Sequence, residues 1–216
     1  MGDFGDIASS LQRVIIALPA LLVALTFHEY AHAAVAVSLG DPTPRLQGRL
    51  SLNPLVHLDP LGFLAILFAP IGWAKPVLIT PTLLRNPRRD AVLVAAAGPG
   101  MNLLLAAVSA VLYRLLLQAG GTTLPPLGAA IVTPLHLFTV HSIVINVSLA
   151  VFNMLPIPPL DGWRVVGGLV AGRNPVFAAT VEQYGSLVLL VLIVIGVVGK
   201  LMSPVVATTV FFLVQA

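Results

Sequence analysis

No cysteine occurs among the 216 residues, so disulfides and thiolate metal sites are both excluded. Charge is scarce as well. Asp, Glu, Lys and Arg together make up 9% of the chain, whereas a soluble domain carries roughly 25%. Aromatic residues account for only 6%. What fills the space is aliphatic: 58% of residues are hydrophobic, and the mean hydropathy is +1.01. A polytopic membrane protein accommodates such a composition. The net charge of +3 comes from basic residues dispersed between apolar runs, a pattern of loop chemistry that excludes a nucleic-acid surface. No cleavable signal peptide is expected, because Asp3 and Asp6 stand where a positive n-region belongs.

Against this background, the run Phe27-His28-Glu29-Tyr30-Ala31-His32 stands out. Helical spacing stacks His28 and His32 on one face as i and i+4, with Glu29 one position round. Two imidazoles and an adjacent carboxylate form the HExxH arrangement of zinc metalloproteases. The segment around it, about Leu11 to Leu39, is long enough to cross a bilayer core of roughly 30 Å. Ionisable side chains in such a span are costly, which makes them functional candidates.

Further along, polar residues at 45, 47, 49, 51 and 53 alternate with Leu46, Gly48, Leu50 and Leu52. That period of two predicts a short strand or hairpin, whose open edge could pair with an extended substrate. Residues 61–73 are apolar but short and carry Gly62, Pro70 and Gly72, which predicts a re-entrant segment. Clear spans follow at Ala91–Leu117 and Leu135–Leu155. Gln118–Thr133 forms an uncharged loop between them. A last strong span runs from Tyr184 to Val198 or Leu201, followed by an apolar tail, Val205–Val214. The expected fold is therefore an all-α polytopic bundle of about four to six transmembrane helices, with a short β-hairpin and a re-entrant segment near the site. It is read as one domain, 1–216, with a catalytic core of about 11–165 and C-terminal helices of about 166–216.

With the 61–73 segment re-entering, Arg45, Arg49, Lys75, Arg85, Arg88, Arg89, Arg164 and Arg173 all fall on one side. The positive-inside tendency makes that side cytoplasmic. The His28 and His32 pair then sits toward the inner half of the first span, and Asp161 lies near its depth. Trp73, Trp163 and Tyr184 read as interfacial anchors, and Gly196-x-x-Gly199 as ordinary helix packing.

A catalytic zinc needs a third protein ligand. Asp161, Glu182, Asp59, His57, His136 and His141 are the candidates, with Asp161 favoured by its isolation, its depth and the following Gly162. Asp161 could equally be the N-cap of a helix starting near Trp163, and spacing leaves the two open.

The two motifs His28-Glu29-Tyr30-Ala31-His32 and Asn153-Met154-Leu155-Pro156-Ile157-Pro158-Pro159-Leu160-Asp161-Gly162 together resemble the site-2 protease family of intramembrane zinc metalloproteases. Gly98-Pro99-x-x-Asn102 and Arg49-Leu50-Ser51-Leu52-Asn53-Pro54 resemble segments of its compact bacterial and archaeal branch. The resemblance covers about residues 20–165. It implies one Zn2+ per chain on His28, His32 and Asp161, with Glu29 activating water. The PDZ and CBS domains of some relatives are not expected here.

An oxyanion donor is sought among Asn153 and Asn102, with Asn153 favoured by its motif. The implied activity is hydrolysis of peptide bonds in membrane-spanning protein substrates. The protein would lie among membrane lipid as a multi-pass protein of a prokaryotic cell membrane, its site nearer the cytoplasm. The competing reading is a metal or ion transporter built on the same His/Asp cluster.

Overall fold

The computed structural model describes residues 4–62, 74–120 and 126–215. Besides the helical residues Pro60–Gly62, seven α-helices occur among them: α1 (Phe4–Ser38), α2 (Thr43–Leu46), α3 (Pro87–Gly120), α4 (Pro126–Asn153), α5 (Asp161–Arg173), α6 (Pro175–Val194) and α7 (Val197–Gln215). Single 3₁₀ turns lie at Pro54–Val56 and Pro81–Leu83. Five helices contain stretches long and apolar enough to cross a membrane, at Ile15–Ser38, Pro87–Gln118, Val132–Asn153, Pro175–Val194 and Val197–Gln215. The protein is a multi-pass membrane protein.

Helices α1, α3 and α4 form the centre, each packed on the other two. Their contacts are built from small or polar residues about one turn apart: Ala20, Ala24, His28 and Ala31 on α1; Asn102, Ala106 and Ala110 on α3; and Ser142, Asn146 and Ala150 on α4. In lipid there is no hydrophobic gain from joining two apolar helices. Close backbone approach and buried hydrogen bonds supply the association instead. Helices α6 and α7 lie outside this centre and expose Leu187, Val191, Leu201 and Phe212, the surface that lipid covers.

Local chemistry sets the helix ends. Helix α3 opens at Asn86-Pro87, and Asp90 reaches back to accept from the Asn86 amide at 2.8 Å. Before α6, the Asn174 side chain accepts from the Phe177 amide at 3.0 Å. Beyond α1, buried Asp41 accepts from the amides of Thr43 (2.9 Å) and Thr80 (2.6 Å), while the Arg85 amide donates to the Leu39 carbonyl at 3.0 Å. These bonds tie the chain before α3 onto the end of α1.

Several expectations are corrected. The alternating stretch 45–53 is no strand. Thr43–Leu46 is a helical turn, and Gly48 takes a positive φ of 68° that reverses the chain, so the Arg49 amide donates to the Pro44 carbonyl. Pro44 presets helical φ at the start of that turn, and the local hydrogen bonds of a tight turn override the alternation. The buried Arg49 guanidinium is then satisfied within the loop by the Val56 carbonyl. Among the described residues β-pairing is limited to an isolated antiparallel bridge, Leu58–Ala74. The expected re-entrant segment, beyond its first two residues, and Trp73 lie outside the described residues.

The expected span from Tyr184 to Leu201 is two helices. The break falls at Ile195–Gly196, where Gly196 has φ of 76°, so this glycine makes a turn and is not a packing position. The apolar tail belongs to α7, whose Leu213 carbonyl accepts from Arg114 of α3.

Candidate metal centre

His28 and His32 lie one turn apart in α1, buried, with ring centroids 4.6 Å apart. Asp161 reaches them from a distant part of the chain. Asn153 ends α4, and residues 154–160 turn back through a cis Pro158–Pro159 bond before α5 starts at Asp161 itself. Gly162 permits that return, since a β-carbon there would lie 2.3 Å from the Met154 carbonyl oxygen. The N-cap is Leu160, so the capping role open to Asp161 in the sequence is not used. Its Oδ2 stands 3.3 Å from His28 Nε2 and 3.2 Å from His32 Nε2, while the two Nε2 atoms are 3.0 Å apart.

The donor set of this cluster suits a metal ion. His32 Nδ1 lies 2.7 Å from the Val94 carbonyl, which can only accept, so Nδ1 carries hydrogen and Nε2 of the neutral ring presents a lone pair. His28 Nδ1 faces Asn102 Oδ1 at 2.6 Å, with the same result. With both rings neutral, as metal ligation requires, two lone pairs and a carboxylate oxygen converge on one point. A tetrahedral zinc with bonds of about 2.0–2.1 Å holds its ligand atoms roughly 3.3–3.4 Å apart, close to the spacing found. Two imidazoles and a carboxylate also suit zinc chemically.

Space is provided too. Gly98 of α3 faces the cluster, and a β-carbon there would fall 2.3 Å from His32 Nε2 and 2.7 Å from His28 Nε2. The missing side chain leaves the volume an ion needs. These three residues form the group able to hold a metal among the described residues.

Glu29 is buried beside them, and its Oε2 accepts from the Val77 amide at 3.1 Å. Val77 belongs to residues 75–79, which run without helix or ladder between the bridge at Ala74 and the turn at Pro81. This segment, α3 and α5 enclose a cleft of about 480 Å³ whose walls include Val77, Leu78, Ile79, Val94, Trp163 and Arg164. Trp163 is buried, with its indole N–H donating to Glu182 at 3.3 Å, so it is a wall of the cleft and not an interfacial anchor.

The remaining His, Asp and Glu candidates are not part of the metal-holding group. Asn153, part-buried, donates from Nδ2 to the Leu149 carbonyl one turn back, at 3.0 Å. Asn102 uses both amide hydrogens, on the Ala24 carbonyl (3.2 Å) and Asn146 Oδ1 (2.8 Å), which leaves no donor for an oxyanion. His57 Nε2 donates to the Ser51 carbonyl at 2.8 Å, His136 stacks on Tyr113, and Asp59 accepts from the Gly62 amide. The Val77 amide carried no sequence signal, because a backbone donor leaves none.

Residues 16–196 match the sequence pattern of peptidase family M50. The chain belongs to that family. The "Putative zinc metalloprotease YwhC" of Bacillus subtilis is 44% identical over 174 residues, covering 81% of this chain and 78% of its own length. Two proteins named "Putative zinc metalloprotease Rip2" are also similar. That of Mycolicibacterium smegmatis is 30% identical over 83% of this chain and 67% of its own, and that of Mycobacterium tuberculosis 29% over 79% and 63%. No solved structure gives a significant match. This M50 peptidase is a zinc metalloprotease.

Proposed function

We propose that this M50 peptidase hydrolyses peptide bonds of membrane-spanning proteins, with one zinc held by His28, His32 and Asp161 and with Glu29 as general base. The observation that carries this reading is the convergence of two imidazole nitrogens from a membrane-spanning helix and one carboxylate oxygen from the start of α5 within 3.0–3.3 Å, with a buried carboxylate next in sequence to one of the histidines. When bound there, zinc supplies a water acidified toward neutral pH and polarises the substrate carbonyl.

The chain's own residues do the rest. Glu29, oriented by the Val77 amide, takes the proton from the attacking water and returns it to the leaving amine. Nδ1 of each histidine donates away from the cluster, which keeps both Nε2 lone pairs aimed inward. The second hydrogen of the Asn153 amide is the candidate donor for the oxyanion, since the first is engaged by Leu149.

The substrate must present an extended peptide bond, because a helical amide is shielded by its own hydrogen bonds. The cleft between residues 76–81 and α5 adjoins Glu29 through Val77 and Asp161 through Trp163 and Arg164, and it suits an extended, mostly apolar segment. The site lies nearer the cytoplasmic face, where the cationic loops gather.

The test is cleavage of a membrane-spanning peptide by the full-length protein in liposomes, with zinc measured in the same samples. Glu29→Gln is expected to retain zinc and to lose about 10²–10⁴-fold in rate. Asp161→Ala is expected to lose zinc. Cleavage at the native rate by Glu29→Gln refutes the base assignment, and full zinc in Asp161→Ala refutes the ligand assignment.

A further inference from the structure

A chain of buried polar side chains leads away from the metal centre along the interface of α1, α3 and α4, and beyond its first bond to His28 the mechanism leaves it unused. His28 Nδ1 meets Asn102 Oδ1 at 2.6 Å, Asn102 Nδ2 meets Asn146 Oδ1 at 2.8 Å, and Asn146 Nδ2 meets the Ser142 carbonyl at 2.9 Å. Ser142 Oγ, also within 3.2 Å of Asn146 Nδ2, pairs with Ser109 Oγ at 2.8 Å. Asn102 and Asn146 are fully buried, so no water competes for these groups.

The direction of the chain is not free. A backbone carbonyl only accepts, so the Ser142 carbonyl requires the NH₂ of Asn146 and turns its oxygen toward α3. That oxygen in turn requires the NH₂ of Asn102, as does the Ala24 carbonyl at 3.2 Å. The Asn102 oxygen is thereby left facing His28, which must carry its hydrogen on Nδ1. Reversing the Asn102 amide would set its oxygen against two other oxygens, Ala24 O and Asn146 Oδ1, in exchange for the one bond its NH₂ could give a bare Nδ1. Each such unmade or opposed pairing in the interior costs about 1–3 kcal/mol.

We propose that Asn146 and Asn102 form a directional relay, rooted at the Ser142 carbonyl, that presets the Nδ1–H tautomer of His28 before any metal arrives. Asn146 bonds to Asn102 and Ser142, not to the histidines or Asp161, and is a positioning residue acting through Asn102. The relay rests on the zinc reading only for the identity of the ion, because the tautomer is a property of the metal-free protein. Ordinary interhelical hydrogen bonding would hold the helices together but would set no tautomer.

The experiment uses the full-length protein in detergent, labelled with ¹⁵N in histidine. In the metal-free wild type, the His28 shifts are expected to show Nδ1 protonated and Nε2 bare. Zinc affinity is then read by competition with a chromophoric chelator. Asn102→Leu removes the acceptor and is expected to weaken zinc about 10–100-fold. Asn102→Asp keeps an oxygen that only accepts at His28 and is expected to hold the tautomer in a less stable protein, because its second oxygen opposes those of Ala24 and Asn146. Asn146→Leu is expected to fall between, with a share of His28 moved to the Nε2–H form.

An Nε2–H tautomer in the metal-free wild type overturns the proposal whether or not any variant folds. So does a folded Asn102→Leu that binds zinc as the wild type does, or a folded Asn102→Asp in which His28 takes the Nε2–H form. Cleavage is not measured, so failure of the relay is distinguishable from failure of the protease reading.

Discussion

Gly98 approaches His32 so closely that a β-carbon on it would lie 2.3 Å from the imidazole Nε2. The same carbon would lie 2.6 Å from Cε1 and 2.7 Å from Nε2 of His28. A helix ordinarily gains about 0.5–1 kcal/mol when an interior glycine becomes alanine. At this position the added methyl group takes the space the ion needs. Gly98→Ala is expected to lose zinc and cleavage while keeping its helical circular dichroism. Native zinc content in the folded variant would refute the role given to this space.

Gly162 stands against backbone. A β-carbon there would lie 2.3 Å from the Met154 carbonyl oxygen and 2.5 Å from that of Leu155, and neither can turn aside as a side chain does. Gly162→Ala must therefore displace the start of α5, and Asp161 with it. Overpacking of this kind costs about 1–3 kcal/mol. The expected outcome is a lower midpoint of thermal unfolding together with weaker zinc binding. A variant with unchanged zinc affinity would show that the Asp161 carboxylate is placed by something other than this contact.

Asp41 offers a pH test outside the spans. Burial disfavours its charge, but the hydroxyl and amide of Thr43 and the amide of Thr80 outweigh that and hold the carboxyl below its ordinary value. A carboxyl with a depressed folded pKa stabilises fully above its unfolded value, about 3.9. That contribution fades as pH falls through the lower folded value. Asp41→Asn sets an NH₂ against an amide donor and is expected to cost about 1.5–3 kcal/mol near neutrality. The gap between wild type and variant should close in strongly acidic buffer, followed by unfolding of the two proteins in parallel. A gap constant with pH would show that the charge contributes nothing.

Much of the site was legible in the chain because its chemistry is local or rare. His28, Glu29 and His32 share one helical turn, so their relative placement follows from helix geometry alone. Asp161 could be singled out because few carboxylates remain in a chain with so little charge. The membrane spans were legible for the same reason, since crossing lipid leaves a long apolar run. Where the reading failed, the cause was a short-range device. Gly48 and Gly196 take positive φ values, and those turns override the apparent strand at 45–53 and divide the last span in two.

By itself, the sequence determined a membrane bundle, a two-histidine motif with its glutamate, and a short set of third ligands, since periodicity, composition and spacing are properties of the chain before it folds. Tertiary structure decided what depends on approach between distant segments. It placed Asp161 Oδ2 3.2 Å from His32 Nε2 across 129 positions, brought the Val77 amide to Glu29, and fitted Gly98 against both imidazoles. It also gave Asn102 its direction, because only folding brings the Ala24 and Asn146 oxygens to its NH₂ and leaves its own oxygen for His28. The physical reason is common to all of these. A backbone donor, an absent side chain and the orientation of an amide acquire meaning only from what stands opposite them.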